Sequence, residues 1–152
     1  MSPVPPEPQH LDFLLAQVSR LHHHRAHELL EKIGLYRGQP RVLDLLQEQD
    51  GLTHKELAEA LGITPATVTK TIQRMEKAGF LQRKPDADDQ RVSRVYITKA
   101  GRALHSDLQA FQQQMDSESF RGFSEAERKV MRGFLLRLRE NLSQAIQGNL
   151  LD

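Results

Sequence analysis

Apolar residues recur along most of this chain at the three- and four-residue spacing of an amphipathic helix. Between residues 10 and 32 they form a stripe that predicts a long first helix, and a shorter second helix is predicted after Pro40. Two further stripes, at residues 103–115 and 130–146, predict the last helices of the chain. The spacing therefore predicts a mainly helical protein.

Two helix start signals lie close together in the middle of the chain. Residues 53–56 read Thr-His-Lys-Glu, a capping box that satisfies the free amides at the start of a third helix. This helix is predicted to end at Gly62, which suits a left-handed cap. Thr64 and Pro65 supply the N-cap and the first residue of a fourth helix, which runs to about Ala78. Two helices joined by three residues form a helix-turn-helix.

The fourth helix has two chemically different faces. Val68, Ile72 and Met75 fall on one side and predict the buried face. The opposite side is small, polar and basic, which fits the major groove of DNA, where Lys and Arg meet phosphates or guanine edges and Thr contacts a base. The DNA-binding residues predicted on this helix are Thr64, Pro65, Thr67, Thr69, Lys70, Gln73, Arg74 and Lys77.

A β-hairpin is predicted directly after the fourth helix. Strands at residues 80–84 and 94–98 flank a polar loop, and Val95 and Ile97 alternate with polar neighbours as in a half-buried strand. The loop contains three acids but presents Arg91 near its tip. Thr98 ends the second strand and caps the fifth helix. A helix-turn-helix followed by a basic-tipped hairpin is a winged helix-turn-helix, so the predicted fold class is mainly α with a small β-wing.

Composition and charge narrow the function classes. The chain lacks cysteine, which excludes disulfides, thiolate metal sites and thiol redox chemistry. No apolar run approaches the ~20 residues of a membrane span, and the first residues do not read as a secretory signal, so we expect a cytoplasmic protein with no membrane partner. The net charge is only +1, but residues 53–102 contain ten Lys and Arg against six Asp and Glu. This basic middle fits a surface for a polyanion.

Catalytic and metal-binding patterns are weak. His23 and His27 are four residues apart on the first helix, but the three adjacent histidines at 22–24 point in different directions. We therefore predict no metal site and no cofactor. The sequence shows no nucleophile elbow, phosphate-binding glycine loop or HExxH helix, which favours a protein that is not an enzyme.

Two groups of residues carry a family resemblance. The first lies in the helix-turn-helix and comprises Gly51-Leu52-Thr53, Glu56-Leu57-Ala58, Leu61-Gly62-Ile63-Thr64, Val68-Thr69, the run from Met75 to Leu81, and Arg83. The second lies in the hairpin, where Asp89, Arg91, Val95, Ile97 and Thr98 match the pattern D-x-R-x-x-x-V-x-[LI]-T. Over residues 35–104 the chain thus resembles the multiple-antibiotic-resistance regulator (MarR) family of bacterial transcription factors. Met75 stands where that family more often has Leu.

The resemblance implies an obligate homodimer whose terminal helices interlock. Its two winged domains would read a pseudo-palindromic operator on double-stranded DNA. The apolar stripes of the first and last helices also call for a partner surface, because one small winged domain cannot cover them. In relatives a small-molecule effector, often an aromatic or phenolic acid, lies between the dimerisation helices and the winged domain. The residues that would line such a cleft cannot be assigned from this sequence.

The resemblance also implies roles in the wing. Arg91 is expected to enter the minor groove, braced by Asp89, and Arg94 completes the predicted wing contacts. The predicted domains are a flexible Pro-rich tail (1–9), an N-terminal dimerisation helix (10–36), the winged domain (37–101) and C-terminal dimerisation helices (102–152).

The function predicted from the sequence is a transcriptional repressor that an effector releases from its operator. Two alternatives remain open. One is a metal-responsive regulator that uses the His-rich first helix. The other is an architectural winged-helix protein that binds DNA without an effector.

Overall fold

A computed structural model describes residues 10–148 of the chain. It divides into two compact units, which meet in sequence between Met115 and Asp116. The predicted Pro-rich tail at residues 1–9 lies outside the described residues. The helices are α1 Leu11–Glu31, α2 Gln39–Glu48, α3 His54–Leu61, α4 Pro65–Lys77, α5 Lys99–Ala103, α6 His105–Ser119 and α7 Glu125–Gly148.

Three short strands form one antiparallel sheet in the order β1-β3-β2. Their ranges are β1 Leu52–Thr53, β2 Leu81–Pro85 and β3 Ser93–Ile97. In the hairpin Leu81 pairs with Ile97 and Pro85 with Ser93, while Leu52 of β1 pairs with Val95. The two hairpin strands and the mainly helical winged fold are confirmed. The two-residue strand β1 was not predicted, because it is too short to show alternation.

The strand limits differ by one residue from the prediction, and at Phe80 and Thr98 the ends of neighbouring helices explain why. The Phe80 N–H donates to Met75 O at 2.9 Å, so Phe80 belongs to the C-terminal capping motif of α4, two residues beyond the C-cap Ala78. The Thr98 hydroxyl accepts the Gly101 N–H at 3.1 Å, which makes Thr98 the N-cap of α5.

The predicted helix caps are present. At the start of α3, Thr53 Oγ1 accepts the Glu56 N–H at 3.1 Å and the Glu56 carboxylate accepts the Thr53 N–H at 2.8 Å. Gly62 ends this helix with φ 65°, the left-handed conformation that glycine adopts without strain. A second capping box opens α7, where Ser124 and Glu127 exchange the equivalent bonds at 3.2 and 2.7 Å.

The prediction of one fifth helix through Met115 is wrong, because the helix is interrupted at Leu104. There the Leu104 N–H donates to Gly101 O, three residues back, at 3.2 Å. Leu104 is buried in the main core, and the backbone of α5 approaches Phe80 so closely that a Cβ on Gly101 would lie 2.3 Å from Phe80 O. An apolar stripe cannot reveal this tight turn, since its positions continue on both sides of it.

One hydrophobic core holds the winged domain together. Side chains from α2, α3, α4 and the sheet meet in it, and Leu43, Leu46, Leu57, Ile72 and Val95 are fully buried. A smaller cluster joins Ala26 and Leu29 of α1 to Met115. The large core fixes α4 against α3 and β2, so the surface that carries the predicted DNA contacts is built on packed elements.

Candidate nucleic-acid interface

The helix α4 begins with a side-chain cap. Thr64 Oγ1 accepts the Thr67 N–H at 3.3 Å, and Pro65 occupies the first turn, where its missing N–H has no cost. Val68, Ile72 and Met75 are buried, which confirms the predicted inward face. The opposite face is therefore turned away from the core.

Seven of the eight residues predicted to contact DNA on this helix are exposed. They are Thr64, Pro65, Thr67, Lys70, Gln73, Arg74 and Lys77. Within residues 10–148, the side chains of Lys70, Gln73, Arg74 and Lys77 make neither a hydrogen bond nor an ion pair. Three free cations and one free amide along a helix face match the groups that bind phosphates and base edges.

Thr69 differs from the other seven because it is half-buried between α3 and α4. Its Oγ1 lies 3.4 Å from Nδ1 of His54, the first residue of α3. Burial lowers the pKa of His54, and Arg83 lowers it further, while Glu76 opposes both. Among the described residues, His54 Nε2 is buried without a hydrogen-bond partner. Thr69 thus faces the neighbouring helix α3. Its contact with a base remains a prediction, and this placement disfavours it.

The wing loop is ordered by its own acids. The Asp86 carboxylate accepts the N–H groups of Asp88 and Asp89 at 3.1 and 3.0 Å. The Asp89 carboxylate accepts the Arg91 N–H at 3.1 Å and lies 3.9 Å from Arg91 Nε. The Arg91 side chain is 96% exposed, so its guanidinium is available to a ligand.

Arg94 stands apart from Arg91, although both were predicted to contact DNA. Its Nη1 donates to Gly51 O at 2.9 Å, and its Nε donates to the Asp86 carboxylate. The Arg94 guanidinium, together with the Asp89 N–H, holds the pKa of Asp86 below its usual value. Arg94 is therefore engaged inside the winged domain, and its predicted contact with DNA is not supported by its placement.

Two other basic side chains of the winged domain are also engaged. Arg83 on β2 donates to both carboxylate oxygens of Glu76 on α4, at 2.6 and 3.2 Å, and so links the two elements. The Lys84 ammonium lies 5.3 Å from the centroid of the Tyr96 ring. Because these side chains are engaged, fewer Lys and Arg residues of α4 and the wing are free to bind a polyanion than their number in the sequence suggests.

Comparison with known proteins identifies the family of this chain. A sequence model described as "MarR family" matches residues 35–93. The chain is 31% identical over 122 residues to the uncharacterized HTH-type transcriptional regulator YwoH of Bacillus subtilis (strain 168), covering 80% of this chain and 88% of that protein. The chain belongs to the MarR family. Its members are DNA-binding transcriptional regulators.

Two further proteins that are similar to this chain carry more specific names. The HTH-type transcriptional repressor IacR of Pseudomonas putida is 30% identical over 115 residues, which cover 76% of this chain and 69% of that protein. A solved structure of Bordetella bronchiseptica BpsR superposes with a TM-score of 0.74 at 26% identity, covering 86% of this chain and 94% of that one. It is described as showing regulation of DNA binding by 6-hydroxynicotinic acid.

The structure also reveals residues that the MarR-family resemblance did not single out. Asp50 accepts the N–H groups of Gly51 and Ile97 and the Arg102 guanidinium, at 3.2, 3.0 and 3.0 Å. Asp86 plays a similar part in the wing, where the sequence analysis treated it only as one of three loop acids. Arg94 pairs with Lys84 in the hairpin, and Asp86 lies two residues beyond Lys84, so the register makes Asp86 and Arg94 diagonal neighbours on one side of the hairpin. Asp50 could not be found in this way, since Ile97 and Arg102 are far from it in sequence.

The described residues were searched for metal-binding groups, including on the His-rich first helix, and for membrane-spanning helices. Within residues 10–148 there is no group of three or more His, Cys, Asp and Glu that could hold a metal ion. On α1, His24 Nε2 lies 3.5 Å from the Glu28 carboxylate. Over the same residues, no helix has the length and apolar character that a membrane crossing requires.

Proposed function

We propose that this chain is a homodimeric repressor that binds a pseudo-palindromic operator and is released by a small-molecule effector. The observation that carries the proposal is the exposed face of α4, where Lys70, Gln73, Arg74 and Lys77 have no partner among the described residues. Arg91 on the wing supplies a second exposed cation. The names of IacR and BpsR support repression and control by an aromatic acid in this family.

The helix α7 supports the dimer. It is 24 residues long and contains no buried residue through residue 147. Its large apolar side chains are exposed, namely Val130, Phe134, Leu135, Leu136, Leu138, Leu142 and Ile146. A single chain that leaves such a surface in water indicates a protein interface. A second copy of this chain is the occupant that the MarR family implies.

The helix α1 has an exposed apolar side of its own. Leu11, Phe13, Leu14, Val18 and Leu21 are all exposed, whereas Ala26, Leu29 and Leu30 are buried. The N-terminal half of α1 therefore also offers apolar surface to a partner chain. In a two-fold dimer each recognition helix would face its own half-site, about 34 Å from the other along the duplex.

Selection from a pool of random duplexes tests the DNA-binding part of this proposal. We expect the selected sequences to contain an inverted repeat with half-site centres one helical turn apart. Sedimentation should give twice the chain mass of 17.4 kDa for the free protein and two chains per duplex for the complex. Recovery of duplexes without any shared sequence would favour the architectural alternative and overturn the proposal.

Repression and release need a second measurement. On a promoter that overlaps the selected operator, added protein should reduce transcription in vitro. Small aromatic acids, including 6-hydroxynicotinic acid, should then be titrated into the protein–operator complex with a non-aromatic acid of equal charge as control. Release of the operator by an aromatic acid, but not by the control acid, would support regulation by a small-molecule effector. Activated transcription in the first assay would contradict the assignment as a repressor.

A further inference from the structure

A continuous series of polar contacts connects the body of the winged domain to the tip of the wing. Arg94 on β3 donates to Gly51 O, just before β1, at 2.9 Å, and also to Asp86. Asp86 accepts the N–H groups of Asp88 and Asp89. Asp89 in turn accepts the N–H of Arg91. Each contact joins the next, so the position of Arg91 depends on groups that lie well behind it.

Burial separates the two ends of this series. The side chains of Asp86 and Arg94 are 16% and 35% exposed, whereas that of Arg91 is 96% exposed. The Asp86 and Arg94 groups already meet each other, and their remaining contacts are to backbone atoms. Because the hydrogen-bonding groups of this half-buried ion pair already have partners, the pair can hold the loop in place but has few groups free to bind a phosphate.

We propose that Asp86 and Arg94 are positioning residues for DNA binding, which hold the wing loop so that Arg91 reaches the duplex, and that neither contacts DNA. This inference rests on the proposed operator binding. It opposes the expectation from charge alone, because an acid near DNA should weaken binding and its removal should strengthen binding.

Asp88 provides a matched control for Asp86. Both acids lie in the same loop, but among the described residues the Asp88 carboxylate has no hydrogen-bond or ion-pair partner. Asp86→Asn and Asp88→Asn therefore remove one negative charge each with almost no change in size. With the duplex selected by the wild-type protein, Asp86→Asn should weaken binding by about ten- to a hundredfold, the worth of a charge-assisted hydrogen bond. Asp88→Asn should leave affinity unchanged or slightly higher. Equal tightening by both variants would overturn the proposal.

A double-variant cycle with Arg91→Ala tests the route of the effect. If Asp86 acts by placing Arg91, then Asp86→Asn should cost almost nothing more once Arg91 is absent. Losses that add would overturn the proposal, because Asp86 would then act on DNA or on the fold by another route. Thermal unfolding of each variant, followed by circular dichroism, must show a folded protein, and global unfolding of Asp86→Asn would also contradict a role confined to the wing.

Arg94→Lys separates positioning from direct contact. Lysine keeps the charge for a phosphate but lacks the planar fork that joins Asp86 and Gly51 O at the same time. We expect the loss to match that of Asp86→Asn, whereas binding equal to wild type would mean that only the charge of Arg94 matters. Failure of the wild-type protein to select any duplex would instead overturn the proposed function. This outcome is distinguishable from failure of the positioning proposal, which is seen only when the variants are compared with a wild-type protein that binds.

Discussion

At the scale of single residues, basic side chains of the winged domain fall into two groups. Lys70, Arg74 and Lys77 are exposed and unpaired among the described residues, as a ligand-binding cation must be. Arg83 and Arg94 form ion pairs with Glu76 and Asp86 and so link elements within the winged domain. Residue type alone does not distinguish the groups, so site predictions from sequence overcount the cations that can meet DNA.

Arg74 tests whether the exposed face of α4 reads bases. If its guanidinium contacts guanine, Arg74→Ala should cost ~1–3 kcal/mol of binding free energy and relax the preference at one position of each half-site. The measurement is affinity for the selected operator and for its single-base variants. A uniform loss on all sequences would assign Arg74 to the phosphate backbone.

Arg91 and Asp89 test the wing tip. Arg91→Ala should weaken binding and reduce the slope of log affinity against log salt by about one per subunit, because one cation leaves the duplex. Asp89→Ala should also weaken binding, since the carboxylate that accepts the Arg91 N–H is lost. Salt titrations on the selected operator give both numbers. Tighter binding by Asp89→Ala would show that the carboxylate does not brace Arg91.

His54 predicts a pH dependence of stability. Its pKa in the folded chain lies below the usual value of 6.5, so the unfolded chain takes up a proton more readily. The contribution of neutral His54 to stability is fully present above pH 6.5 and is lost as the pH falls below that value towards the folded pKa. The groups that face it are Thr69 and Glu76 of α4 and Arg83 of β2.

Denaturant unfolding of wild type and His54→Gln from about pH 8 to about pH 5 isolates this contribution, since the other histidines titrate in both proteins. The free energy of unfolding should fall more steeply with acidity in the wild type. Parallel curves for the two proteins would show that burial does not shift the His54 pKa.

At the scale of elements, caps and turns decide where helices end, and close backbone approach decides which residues fit within them. The short helix α5 lies so close to the preceding hairpin that only glycine fits at position 101, where a Cβ would be 2.3 Å from Phe80 O and 2.8 Å from Ile97 Cγ1. Helix propensity alone gives the opposite expectation, because Ala is favoured over Gly in a helix.

Gly101→Ala and Gly133→Ala should therefore change stability in opposite directions. Gly133 in α7 has open space at its Cβ position, so alanine there should stabilise by up to ~1 kcal/mol. Gly101→Ala should destabilise by ~1–3 kcal/mol, as overpacking does in a filled core. Chemical denaturation of both variants measures the difference. Equal stabilisation by both would mean that α5 can move away from Phe80 without cost.

At the scale of the whole molecule, the exposed apolar side chains on α7 form the proposed dimer interface. Phe134→Glu places a charge among them and should shift the protein to monomers in sedimentation. Operator affinity should fall with it, because one winged domain can hold only one half-site. Ser143→Glu is the control, since Ser143 is exposed and lies nine residues along, half a turn around the helix. A Phe134→Glu protein that stays dimeric would remove α7 from the interface.

How much of this molecule follows from its sequence depends on the range of the forces involved. Local signals determined most helices: the capping box at Thr53, the left-handed Gly62 and the buried stripe of α4 each act within a few residues, and all were predicted. The winged fold followed because those local elements occur in a recognisable order. The exposed face of α4 followed as well, since the periodicity that buries Val68 and Ile72 turns Lys70 and Arg74 outwards.

Only the tertiary structure decided which polar side chains are already engaged. The partners of Asp50 come from β3 and α5, forty-seven and fifty-two residues away, and nothing local marks them. Arg94 and Arg91 are three residues apart in the same hairpin, yet one is held by Asp86 and Gly51 while the other extends into solvent. The close approach of Phe80 to Gly101 likewise joins groups that are twenty-one residues apart in sequence. Periodicity determines which way a side chain points, but a hydrogen bond also requires a second group to be brought within about 3 Å, and that is settled by packing between elements.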